Sequence, residues 1–277
     1  MDRFPARKDN IFSIYRQASL WHLLGAILVV FYVNTYGIWT WVTQTTSRDV
    51  AQYLPFLLLA VTLVSFLGFL HKARSIRWQL LLAAIAIAIF ALFLTDPDFP
   101  AKRIHVPQYF VLAIVIRYAL SFDLPRDPWL AIATITLILL YGIHDELLQG
   151  FHPDRTFGLR DVMINILGGC SGSLFAAGLG LFIGPPTKSA PLLQNASLMT
   201  LSCIPIAAFL LVLPLEGYRG QTIPVWSTLP LLAAAVGTSL IIPGTVARSC
   251  AFRAFACVAF SLLLYPLASH VPPLQFH

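Results

Sequence analysis

The chain has 277 residues, 58% of them apolar and only 11% charged, and its mean hydropathy is +0.77. Soluble globular domains run at roughly 45–50% apolar and about 25% charged, so an ordinary cytosolic enzyme is excluded, and the wealth of large apolar residues excludes a disordered chain. The balance of 18 Lys and Arg against 12 Asp and Glu, a formal net charge of +6, reads as membrane topology rather than nucleic-acid binding, because cytoplasmic loops collect Lys and Arg.

A spanning helix takes about 20 residues and a short connection ~10 more. The length therefore accommodates about nine spans, or eight, in an all-α polytopic helix bundle. Met1 to Arg16 is charged, and the first apolar run is too long for the h-region of a cleavable signal. Apolar runs bounded by charge, Pro or Gly fall at 20–42, 50–70, 78–94, 104–122, 129–148, 161–183, 197–215, 225–244 and 248–269. The third is the shortest, and the seventh and eighth contain Pro205 and Pro230, which neighbouring helices in a membrane tolerate. The runs group into two N-terminal spans in 1–77, four central spans in 78–183 and about three C-terminal spans in 184–277. Cys170, Cys203, Cys250 and Cys257 lie in apolar stretches without disulfide or metal spacing and read as small buried packing residues.

Alternating the nine runs across a bilayer puts Arg3, Arg7, Lys8, Arg16, Lys72, Arg74, Arg77, Arg126, Lys188, Arg248 and Arg253 on one side. Arg48, Lys102, Arg103, Arg155, Arg160 and Arg219 fall on the other, with Arg117 inside the fourth run. Eleven against six places the first side, with the N-terminus, in the cytoplasm, and the C-terminus outside. Arg117 is expected to snorkel toward the cytoplasmic surface.

Ionisable groups at membrane depth need a partner or a function. Here they gather on the outer side. Asp96, Asp98, Lys102, Arg103 and His105 surround the start of the fourth run. His144, Asp145, Glu146, Gln149, His152, Asp154, Arg155, Arg160, Asp161 and Asn165 link the fifth run to the sixth. Of the twelve acidic residues, eight lie between Asp96 and Asp161. His105 and Tyr109, four apart, share a helix face. Asp161, Asn165, Gly168, Gly172, Ala176 and Gly180 form one stripe whose small residues predict close packing against a neighbouring helix.

Structural readings stand beside functional ones. Asp161 fits an N-cap. Glu146 and Arg155 fit an ion pair joining two helices, and His105 fits an interfacial hydrogen-bonding residue. His105, His144, Asp145, Glu146 and Asp161 carry ligand atoms, but none of the usual zinc spacings is present, so no metal and no cofactor is expected. A desolvated Glu146 could act as general acid or base, with Lys102 and Arg155 holding a phosphate or carboxylate.

The text HDELLQGFHPDRTFGLRDVMINILGGCSG, with Glu146, Gln149, Arg155, Asp161, Asn165, Gly168 and Gly172, resembles the signature of the VanZ-like family of bacterial membrane proteins. Upstream, Lys102, His105 and Tyr109 in AKRIHVPQYFVLA resemble that family's second motif. The resemblance covers residues 78–183 and implies a multi-pass protein of the bacterial cytoplasmic membrane. It also implies a link to teicoplanin-type glycopeptide resistance, and His105, Glu146, Gln149, Arg155, Asp161 and Asn165 as functional residues. The flanking spans are additions to the short family form and would make a separate bundle, a partner-docking surface or a cavity wall. Three functions compete: a non-enzymatic envelope protein binding an amphiphilic or lipid-linked ligand, a membrane enzyme acting on such a lipid through Glu146, and a transporter. A transporter would be favoured by inverted repeats, and none is evident. The expected partners are membrane lipids and a lipid-linked envelope precursor, not nucleic acid.

Overall fold

The computed structural model describes residues 11–68, 76–124, 129–182, 191–241, 249–272, 274 and 276–277. Of the basic residues counted for topology, Arg3, Arg7, Lys8, Lys72, Arg74, Arg126, Lys188 and Arg248 lie outside the described residues. Every regular element within them is helical: α1 Ile11–Val33, α2 Thr35–Thr45, α3 Arg48–Ala51, α4 Leu54–Leu67, α5 Trp78–Leu94, α6 His105–Leu120, α7 Trp129–Gly150, α8 Leu159–Gly178, α9 Pro191–Val212, α10 Leu229–Ile241 and α11 Cys250–Ala268. Short 3₁₀ turns at Pro100–Ile104, Leu215–Tyr218 and Val225–Thr228 lead into or out of them.

Within the described residues each of the nine apolar runs contains helix, with two interruptions that hydrophobicity does not mark. The first run breaks at Asn34, whose side-chain amide donates to the Val30 carbonyl at 2.8 Å and competes with the helical ladder. The second opens as a short helix capped by Ser47, whose Oγ accepts from Val50 N at 3.3 Å, and restarts at Leu54 with a proline in its first turn. Four stretches are long and apolar enough to cross a membrane: Tyr15–Val33, Arg48–Phe66, Trp129–Gly150 and Cys250–Ala268. Trp78–Leu94, Ser202–Tyr218 and Val225–Leu240 are apolar but shorter. At 16 residues α6 is short, and α8 carries Arg160 and Asp161 in its first turn.

At the centre α8 packs against α5, α6 and α7, and its glycines explain how. A Cβ at Gly172 would stand 2.3 Å from the Phe110 carbonyl oxygen, and one at Gly168 would stand 2.9 Å from that of Val106, so two backbones touch along α6. Gly169 turns instead to Ile138 of α7, and Gly178 to Leu81 of α5. Ala176 joins the apolar cluster shared with Ala84, Ala88 and Phe110. Gly180 does not belong to this packing surface: α8 ends at Gly178, and Gly180 takes φ +64°, a left-handed conformation that turns the chain out of the helix. Ser171 ties α8 to α5 by donating to the Ala84 carbonyl at 2.7 Å.

Hydrogen bonds gather the helix ends into two groups. At one end, Arg77 N meets the Gly178 carbonyl at 2.9 Å, and Ala251 N donates to Asp123 Oδ2 at 2.8 Å. At the other, Arg160 Nε donates to the Leu94 carbonyl at 2.7 Å and Leu159 N to Glu216 Oε1 at 3.1 Å. Arg48 bonds the Asp98 carbonyl there. His277 closes that end, its N–H on the Gly150 carbonyl at 2.6 Å and its carbonyl accepting from Phe157 N at 2.9 Å, with Phe276 fully buried.

Arg117 does not snorkel. It is enclosed on α6 with 0% exposure, because α1, α7 and α8 surround that helix. The cysteines are free thiols; Cys250 is buried and Cys170 and Cys203 are half-buried, but Cys257 is exposed and is not a buried packing residue.

Candidate functional site

The second group of helix ends carries the polar residues. The 3₁₀ turn Pro100–Ile104 delivers Lys102, α6 begins with His105, α7 ends with Asp145, Glu146 and Gln149, and the first turn of α8 holds Asp161. The three adjoining helices therefore bring together His105, Tyr109, Asp145, Glu146, Gln149, Asp161 and Asn165, all almost wholly buried.

Their bonds follow a definite order. Arg155, in the α7–α8 connection, donates to Gln149 Oε1. The amide of Gln149 donates in turn to Asp145 Oδ1 at 3.0 Å. Asp145 Oδ2 lies 3.0 Å from the Tyr109 hydroxyl, which also sits 3.2 Å from the Tyr141 carbonyl. A chain of donors thus runs from the surface guanidinium to a carboxylate with 0% exposure. Next to it, His105 Nδ1 is 3.7 Å from Asp145 Oδ2. Lys102 Nζ meets Asp161 Oδ2 at 2.5 Å.

Two structural expectations are corrected here. Glu146 and Arg155 form no ion pair: Arg155 is taken by Gln149 and lies over the Tyr36 ring, 5.3 Å from its centroid. Gln149 sits nearer the connection, one turn beyond Glu146, and intercepts the guanidinium. Both Glu146 carboxylate oxygens have no hydrogen-bond partner among the described residues. Asp161 is not the N-cap of α8; extended Gly158 holds that position, with φ −146° and ψ 120°, and Asp161 falls in the first turn facing Lys102. Asn165 packs beside Gly142 of α7, where an added Cβ would stand 3.1 Å from its own Cβ, and its amide atoms have no partner among the described residues.

Above this cluster lies a partly open cavity of about 180 Å³. Lys102, His105, Gln149 and Arg155 line its polar side, together with Asp154. Tyr36, Trp39 and Phe99 line its apolar side. Tyr36 and Trp39 come from α2, so one flanking segment is a cavity wall. Sequence reasoning passed over these aromatics, although Tyr and Trp near a span end are the residues that settle at a membrane interface. Lys102 lies 5.9 Å from the Phe99 ring centroid, so cation and aromatic wall are continuous.

A second, larger cavity of about 430 Å³ lies between α1, α7 and α11 and is mainly apolar, with His22, His144 and Arg253 among its lining residues. His144 points away from the cluster, its Nδ1 2.7 Å from the Tyr265 hydroxyl of α11. It belongs to helix packing rather than to the site, although it is adjacent to Asp145 in sequence.

Comparison with known proteins finds no matching family model, curated protein or solved structure.

Proposed function

We propose that this chain is a polytopic protein of the bacterial cytoplasmic membrane, with about nine spans, that binds the anionic headgroup of an amphiphilic or lipid-linked ligand at its outer face. The observation that carries the reading is the aromatic-walled cavity edged by Lys102 and Arg155. A cationic fork and an ammonium beside interfacial aromatic rings suit a phosphate or carboxylate whose tails stay in the bilayer. At about 180 Å³ the cavity is smaller than the roughly 300–1,000 Å³ of sites that enclose a whole drug-sized ligand, which favours a headgroup.

The alternation of the helix ends supports nine antiparallel passes with the C-terminus on the cavity side. The distribution of Lys and Arg supports a cytoplasmic N-terminus. The motif resemblance supports a VanZ-like core in 78–183 and, through it, a connection to glycopeptide susceptibility. The geometry favours binding over acid–base chemistry by Glu146, because that side chain has 0% exposure and is not among the residues that line the cavity.

Lipids co-purifying with the wild type and with Arg155→Ala, identified by mass spectrometry, test the reading. Enrichment of a phosphate- or carboxylate-bearing lipid over bulk membrane, lost in Arg155→Ala, is expected. No enrichment in either protein contradicts it.

A further inference from the structure

His105, Asp145 and Glu146 share a feature that headgroup binding does not use. One nitrogen or oxygen from each lies within 4.8 Å of the others, and all three side chains are buried. His105 Nδ1 and both Glu146 oxygens have no hydrogen-bond partner among the described residues. Such orphaned polar atoms in a protein interior are costly unless something satisfies them. Their charges point the same way. Among the described residues, Asp145, Glu146 and Asp161 set three carboxylates near the cations Lys102 and Arg155; Lys102 pairs with Asp161, and Arg155 bonds the neutral amide oxygen of Gln149 rather than a carboxylate.

We propose that His105, Asp145 and Glu146 form a buried site for one divalent d-block cation of the zinc or manganese kind. An imidazole nitrogen with two carboxylates is a borderline donor set that suits such ions better than calcium or magnesium, which take oxygen ligands. Tetrahedral ligands ~2.1 Å from the metal lie about 3.4 Å from one another. The pair His105 Nδ1 and Asp145 Oδ2, at 3.7 Å, is already near that spacing, and the Glu146 carboxylate, with a ligand oxygen within 4.8 Å of both, is the third donor. The supporting shell is in place, because Tyr109 and Gln149 each donate to one oxygen of Asp145 and fix its orientation, as outer donors do around metal carboxylates. Asn165, unpartnered and level with Gly142 one turn before Glu146, is a nearby candidate for a fourth donor. Metal spacing within one helix cannot reveal this set, since its members come from α6 and α7.

The test uses the whole protein in detergent, stripped with chelator and titrated separately with Zn²⁺, Mn²⁺ and Co²⁺. Calorimetry and the visible absorption of bound Co²⁺ are the readouts. About one ion per chain is expected, with His105→Gln and Glu146→Gln each weakening binding by about 100-fold or more, since even outer-shell changes cost 10–100-fold. His144→Gln is expected to bind as the wild type does. Monodisperse wild type that takes up none of the three ions overturns the proposal, independently of any variant's folding. So does uptake that His105→Gln and Glu146→Gln leave unchanged, or that His144→Gln abolishes equally. Headgroup binding is read separately from lipid content, so the failure of either proposal is distinguishable from that of the other.

Discussion

The central trio α6, α7 and α8 and the helices around it use similar apolar residues under opposite conditions. In α7, 72% of the most apolar stretch is buried inside the protein, whereas in Arg48–Phe66 only 17% is. Outer helices present Leu57, Val61 and Val64 of α4, or Leu82, Phe90 and Phe93 of α5, on the molecular surface. Among the described residues they hold no buried carboxylates. The trio, shielded on several sides, contains Asp145, Glu146, Asp161 and Asn165 at no more than 2% exposure. In a bilayer the outer helices meet hydrocarbon, where an ionised side chain is costly, and the inner ones meet each other, where it can be paired. The polar site therefore occupies the helices that the others cover most, and the glycines of α8 bring those helices close.

That contrast can be broken by adding one methyl group. Gly172→Ala places a Cβ against the Phe110 carbonyl, with no flexible side chain to yield, and is expected to cost about 3 kcal/mol or more. Membrane accumulation and the thermal midpoint in detergent are the readouts. A stable Gly172→Ala protein would contradict the close approach of α6 and α8. A smaller loss is expected for Lys102→Ala, which leaves Asp161, 3% exposed at its side chain, without its cation. Because Lys102 is itself 31% exposed, the cost is put at about 1–2 kcal/mol, below that of breaking a fully buried pair. Adding Asp161→Asn should restore part of the lost midpoint, and an additive double variant would argue against the pair. At the far end of the scale, Gly237→Ala on α10 meets nothing within 4 Å and is expected to shift stability by no more than about 0.5 kcal/mol. A large loss there would place α10 in unseen contact.

Much of this was legible in the residues. Among the described residues each apolar run contains helix, His105 and Tyr109 do share a buried face, and Gly168 and Gly172 do meet a neighbouring backbone. The convergence of three helix ends followed from counting scarce charges along alternating runs. What escaped were choices among partners far apart in the chain. Arg155 had Glu146 and Gln149 within similar sequence distance, and only the position of the connection past the end of α7 selects Gln149. Lys102 and Asp161 are 59 residues apart, and no periodicity couples them. The burial of Phe276 beneath Gly150 likewise depends on a chain end returning to a helix end, a contact without a local signature.

The cavity's proposed grip on an anionic headgroup runs through Arg155 and Lys102. Its most direct test is an equilibrium titration of detergent-purified protein with a short-chain phosphatidate, followed by intrinsic fluorescence with Trp39→Phe identifying the reporter. Saturable binding in the wild type, weakened by about 10-fold or more in Arg155→Ala in line with the loss of a charge-assisted contact, is the predicted result. Superimposable curves for the wild type and Arg155→Ala would contradict it.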